Sequence, residues 1–363
     1  MTRGAILFVT LALALAADAR AAVALDNIQL PPGFSIGIYA EVPNARALSL
    51  GSNGVVFVSN LRADSVYAVL PGSGDHNRVV EIADDLDMPN GIAYFDGDLY
   101  VAENSQVHVY RDIDNRLDDP PEPELLDIDL PSAGHHGWRY IGFGPDDKLY
   151  ISIGAPCNVC DLDGYGRIDR MNPDGSEREI WASGIRNSVG FTWQPDTGDL
   201  WFTDNGRDML GDDIPPDELN HVPVQGLHFG FPYCHGGEIL DPELGNGKDC
   251  GDYAPPAQKL GPHVASLGVR FYTGDMFPEE YHGQVFIAEH GSWNRSKKIG
   301  YRISLVRLVD GEPASYEAFA DGWLQGETRL GRPVDVLVLD DGSMLVSDDM
   351  NGLVYRISYK EPQ

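Results

Sequence analysis

The chain has 363 residues, with 26 Lys+Arg against 56 Asp+Glu and a formal charge of −30. That charge argues against nucleic acid and anionic membranes as partners, since their phosphates repel it. A hydrophobic content of 42% excludes wholesale disorder, while 41 Gly and 25 Pro favour frequent turns over long helices and point to an all-β chain.

The N-terminus reads as a secretory signal. Arg3 is followed by an apolar run from Ala5 to Ala17, then by small residues at Ala19-Arg20-Ala21 and Ala22-Val23-Ala24. This pattern predicts cleavage between Ala21 and Ala24, with an uncleaved anchor as the alternative. Residues 1–24 are thus set aside as a signal peptide, and 25–363 form the folded unit, periplasmic or secreted. No later segment approaches the ~18 apolar residues of a membrane span.

From there one pattern recurs: a Gly/Asp turn, a short aromatic and β-branched strand, then a polar turn. Its strands centre on Phe57, Tyr100, Tyr150, Trp201, Phe286 and Leu345, at intervals of 43, 50, 51, 85 and 59 residues. Repeats of this length, with about four strands each, predict a six-bladed β-propeller; a sandwich is the alternative. The long fourth interval contains Cys234 and Cys250 and predicts an inserted, disulfide-pinned loop. Disulfides are the default in an oxidising compartment. Local loops favour the pairs Cys157–Cys160 and Cys234–Cys250, against a zinc site built from all four thiols.

Loops at a propeller mouth carry its chemistry. Ahead of the third repeat lies Gly134-His135-His136-Gly137, and a His in such a loop suits a general base. Gly184-Ile185-Arg186-Asn187 precedes the fourth, and Thr203-Asp204-Asn205-Gly206-Arg207 leaves it with oxygen donors fit for a hard cation. Arg295 leaves the fifth repeat, Arg332 enters the sixth and Asp348 leaves it. In so acidic a chain, Arg186, Arg295 and Arg332 converging on one mouth would make an anion site. Asp161-Leu162-Asp163-Gly164-Tyr165 begins like a calcium loop, but Tyr165 takes a ligand slot, so it reads as a solvated turn.

In their joint order these motifs resemble the glucose/sorbosone dehydrogenases, soluble pyrroloquinoline quinone (PQQ) enzymes on six-bladed propellers. Cys157-Asn158-Val159-Cys160, Asp217-Glu218-Leu219-Asn220 and Gly291-Ser292-Trp293-Asn294-Arg295 make the sorbosone dehydrogenase branch the nearest likeness. The resemblance implies a sugar or sugar aldehyde as substrate, PQQ and Ca²⁺ as cofactors, and an external quinone or cytochrome as electron acceptor. It implies His136 as base, with His135 as fallback, and Arg186 and Asn187 beside the quinone oxygens. Gly206 and Arg207 would give backbone carbonyls to Ca²⁺, while Asn205, Arg332 and Asp348 belong to the cofactor face. Arg295 would stand in for a family Lys, and Val334 occupies the position of a second family Arg. A lactonase-type, Ca²⁺-dependent propeller hydrolase and a non-catalytic binding module are the rival readings.

Overall fold

A computed structural model describes residues 25–72 and 77–362. The expected signal peptide and its cleavage site lie outside the described residues. Six four-stranded antiparallel units are arranged as the blades of a propeller. Blade one comprises Leu48–Leu50, Val56–Val58, Val66–Leu70 and Arg78–Ala83; blade two comprises Gly91–Phe95, Asp98–Ala102, Val107–Tyr110 and Glu124–Leu125. Blade three is Ile141–Phe143, Leu149–Ile153, Arg167–Met171 and Glu179–Ser183, and blade four is Phe191–Trp193, Leu200–Asp204, Glu218–Val222 and Gln258–Lys259. Blade five is Ser266–Phe271, Val285–Glu289, Arg302–Val309 and Glu312–Ala320. Each repeat strand read from the sequence is the second strand of its blade.

Short, β-branched and aromatic segments make these strands because they are covered on both faces by neighbouring blades. Tight turns set their register. Between the first two strands of blade two only Asp96 and Gly97 intervene, at φ 48° and 87°, and between the last two strands of blade five only Asp310 and Gly311, at 53° and 83°. Positive φ at both central residues is the two-residue hairpin geometry that matches strand twist, and Asp-Gly adopts it cheaply.

Blade six takes Pro333–Val338, Met344–Asp348 and Leu353–Tyr359 from the C-terminus and its outermost strand, Phe34–Glu41, from the N-terminus. Phe34 pairs with Tyr359 and Glu41 with Leu353, so the two ends of the chain close the ring. Closure brings Phe34 edge-on to Phe277 at 4.7 Å and Phe319 at 5.1 Å, inside the cluster between blades five and six. The core is divided among such interfaces, with Trp201 and Trp323 fully buried. Burying a Val, Leu, Ile or Phe at one contributes roughly 1.5–3 kcal/mol.

The insertion falls between the third and fourth strands of blade four. Within it, Leu227–His228 pairs in parallel with the outer strand of blade three, and Cys234–His235 forms a hairpin with Ile239–Leu240. Both expected disulfides are present, Cys234–Cys250 in the insertion and Cys157–Cys160 between strands of blade three. The Asp161 loop is drawn into this structure: its carboxylate accepts from the Tyr233 hydroxyl. Among the described residues no helix is long and apolar enough to cross a membrane.

Candidate active site at the channel mouth

An antiparallel hairpin puts the start of its first strand and the end of its second at the same end. In all six blades the first strand is innermost, so the segments entering it and leaving the second strand meet at one mouth of the channel. A cavity of about 450 Å³ opens there, in the range of small-molecule sites. Entering segments supply Arg46, His135, His136, Trp138, Arg186, Asn187, His263, Arg329 and Arg332; leaving segments supply Arg62, Asn205, Gly206, Asp208, His290, Trp293, Asn294 and Asp349.

His136 is buried, with a left-handed backbone at φ 51°. Its Nδ1 lies 2.8 Å from the Ala155 carbonyl. A carbonyl only accepts, so Nδ1 carries the hydrogen and Nε2 keeps its lone pair. Burial, the Arg186 charge and His135 push the imidazole down to about 2, so it is neutral at any ordinary pH. His135 packs beside it with ring centroids 4.1 Å apart and is also lowered, by burial and then Arg186.

Arg186 is held from every side. Its Nε donates to the Asn158 carbonyl at 2.9 Å, its Nη1 to the Asn205 carbonyl at 3.2 Å, and its Nη2 to Asp208 at 2.8 Å. Beneath it Asp204 accepts the backbone N–H groups of Arg186 and Asn187, at 2.8 and 2.6 Å. Burial, then the neighbouring Glu218, raises Asp204 to about 8. Asp217 accepts from Gly206 N–H at 2.9 Å and Ser266 N–H at 3.2 Å, and burial raises it to about 7. No hydrogen bond among the described residues ends on the Gly206 or Arg207 carbonyl.

On the opposite wall Asp349 accepts from Arg46 at 3.0 Å, Arg332 at 2.8 Å and His290 at 3.1 Å. Burial alone would raise it, but these three partners outweigh burial and hold it well below the usual carboxylate range. Buried Arg332 Nε and Asn294 Oδ1 have no partner among the described residues. The floor is apolar: Leu267 packs with Val189, Val334 and Trp138.

The structure therefore brings His135, His136, Arg186, Asn187, Asn205, Gly206 and Arg332 to one cavity. Of the other expected residues, the side chains of Arg295 and Asp348 turn elsewhere, whereas for Arg207 the expected group is the backbone carbonyl. Arg295 donates to the backbone of Asp212 and pairs with Asp213 at 3.5 Å, stapling the loop after blade four's second strand rather than lining the mouth. The Arg207 side chain pairs with Asp241 and Glu243 of the insertion. Asp348 lies beneath the mouth, its Oδ1 accepting the N–H groups of Arg332, Met350 and Asn351 at 3.0–3.1 Å, so it orients Arg332 from behind. Unanticipated were Arg46, Arg62, Arg329, His290 and Asp349. For Arg46 a signal was present, since it enters its blade's first strand as Arg186 and Arg332 enter theirs.

The description "Glucose / Sorbosone dehydrogenase" belongs to a family model that matches residues 127–292, and a TrAA12-like model matches 241–360. An uncharacterized protein of Borreliella burgdorferi is 32% identical over 362 residues, covering 93% of this chain and 92% of that one. Aldose sugar dehydrogenase YliI of Escherichia coli is 26% identical over 254 residues, 63% of this chain and 61% of that one. The holo PQQ domain of pyranose dehydrogenase from Coprinopsis cinerea shares the fold, with a TM-score of 0.74 at 17% identity, over 91% of this chain and 97% of that one. The matched segment 127–292, which contains the loops that carry His136, Arg186 and Asn205, is a glucose/sorbosone dehydrogenase family domain.

Proposed function

We propose that the protein is a periplasmic or secreted PQQ-dependent dehydrogenase that oxidises a sugar or sugar aldehyde and passes the electrons to an external acceptor. One observation carries this reading: five arginines, Arg46, Arg62, Arg186, Arg329 and Arg332, line a single cavity beside a neutral histidine, in a chain of net charge −30. Such a site is built for a small polyanion. The unpartnered Arg332 Nε and Asn294 Oδ1 call for polar ligand groups, and the apolar floor of Leu267 and Trp138 suits a flat ring.

When bound, PQQ supplies a two-electron acceptor for the hydride and Ca²⁺ polarises it. Arg332, Arg46 and Arg62 would hold carboxylates, while Arg186 and Asn187 would face the oxygens on which negative charge grows. The free carbonyls of Gly206 and Arg207, a hard oxygen set, would hold Ca²⁺. His136 Nε2 takes the substrate hydroxyl proton, and the Ala155 carbonyl stabilises the imidazolium through Nδ1–H. A lactonase-type hydrolase would hold a central Ca²⁺ with carboxylate and Asn side chains and has no use for five arginines at the mouth.

Reconstitution with PQQ and Ca²⁺ tests the reading, with aldose-dependent dye reduction and lactone hydrolysis followed separately. Dye reduction that requires PQQ is expected; hydrolysis without PQQ, or silence in both assays, would overturn it. His136→Ala should lower kcat by about 10²–10⁴-fold, the usual contribution of a general base, while PQQ still binds. Retained turnover would move the base to His135.

A further inference from the structure

Between the second and third strands of blade three the chain runs without regular structure, and there Cys157 and Cys160 are bridged. Asn158, inside that four-residue ring, makes contacts far along the chain. Its carbonyl accepts from Arg186 Nε and its Oδ1 from Arg186 Nη2, both at 2.9 Å. The same Oδ1 accepts the Asp208 N–H at 2.8 Å, and Nδ2 donates back to the Asp208 carbonyl at 3.0 Å. Asp208 returns to Arg186 Nη2 through Oδ2, and its Oδ1 accepts from Asn294 of the blade-five loop at 2.6 Å.

We propose that Asn158, fixed by the Cys157–Cys160 bond, is a positioning residue that sets both the Arg186 guanidinium and the 205–208 loop for anion and cofactor binding. The proposal rests on the dehydrogenase reading for its consequence but not for its geometry. Only a side chain with an acceptor and a donor at one end can grip both backbone groups of Asp208 while also receiving Arg186. Aspartate lacks the donor and would set a carboxylate against the Asp208 carbonyl. A buried guanidinium left with fewer partners swings or draws in water, so Arg186 loses the aim that electrostatic preorganisation requires. The disulfide matters because it restricts a loop with no ladder hydrogen bonds of its own. Cys160 also lines a neighbouring cavity of about 350 Å³, where a small reductant can reach the bond.

The test uses the full chain with Asn158→Ala, Asn158→Asp and the Cys157→Ser/Cys160→Ser pair, plus wild type treated with a phosphine reductant. Hydrogen exchange at residues 186–188 and 205–208 and the Kd for PQQ are the primary readouts. Asn158→Ala should speed exchange in both segments, raise the PQQ Kd at least tenfold and lower kcat more than it raises the sugar KM. The aspartate variant should fall between, and loss or reduction of the disulfide should act in the same direction. Unfolding midpoints close to wild type show that the variants are folded. Unchanged exchange at 205–208 in Asn158→Ala overturns the proposal, as does wild-type PQQ affinity in that variant. If wild type itself takes up no PQQ, the dehydrogenase reading falls alone, and exchange still decides the role of Asn158.

Discussion

The proposed role of His136 as a base rests on its immediate surroundings. The Ala155 carbonyl fixes the tautomer, burial and Arg186 keep the ring neutral, and the first strand of blade three begins only a few residues later. This placement depends on a close approach that only glycine permits. A Cβ on Gly154 would lie 2.8 Å from both the Cβ and the carbonyl oxygen of His136, and 3.3 Å from Asn187 Oδ1. Gly154→Ala should therefore displace the proposed base, lowering kcat by about 10²-fold, the scale of a 1 Å error in a reacting group. Turnover at the wild-type rate would show that the His136 backbone gives way without moving its ring. Residue types and loop order made His136, Arg186 and Arg332 legible in the sequence. Arg295 illustrates the limit: its position in the repeat is right, but two acidic residues and open carbonyls of the preceding loop lie nearer than the mouth.

Among elements, the decisive one is the Phe34–Glu41 strand, because it pairs with Leu353–Tyr359 to complete blade six and so converts an open fan of blades into a ring. Phe34 anchors it against Phe277, Tyr281 and Phe319. Being only partly buried, it should cost about 2 kcal/mol on Phe34→Ala, below the ~3–5 of a fully buried Phe. The denaturation midpoint measures this, and a shift no larger than that of an exposed Phe→Ala would mean closure is carried by backbone pairing alone. The repeats gave away the second strands, whose alternation and Asp-Gly turns are local signals. No local signal told that the fourth strand of the last blade comes from the opposite end of the chain, nor that the insertion would add a strand to blade three.

For the whole molecule, pH sets stability through buried carboxyls. Above about pH 7.5 nearly all histidines are neutral whether the chain is folded or not. Asp204, raised to about 8, and Asp217, raised to about 7, still hold protons in the fold that the unfolded chain has released. The unfolded state then binds fewer protons, so stability falls as pH rises from about 7.5 to 9, through the raised Asp204 value. Asp335 and Asp348, also raised by burial, act with the same sign. The urea midpoint of the cofactor-free protein should decline across this window, and Asp204→Asn should flatten the decline. A midpoint constant or rising with pH would mean these carboxyls are ionised in the fold.

The sequence by itself determined the blade number, the all-β class, the disulfide pairs and several of the loops that meet at the mouth, because these depend on local patterning, turn chemistry and short loops. Only the tertiary structure decided which cations face the cavity and which are absorbed by neighbouring loops, and which strand closes the ring. Those outcomes turn on distances between segments far apart in the chain, where a buried arginine takes whichever carboxylate or carbonyl lies within hydrogen-bonding reach.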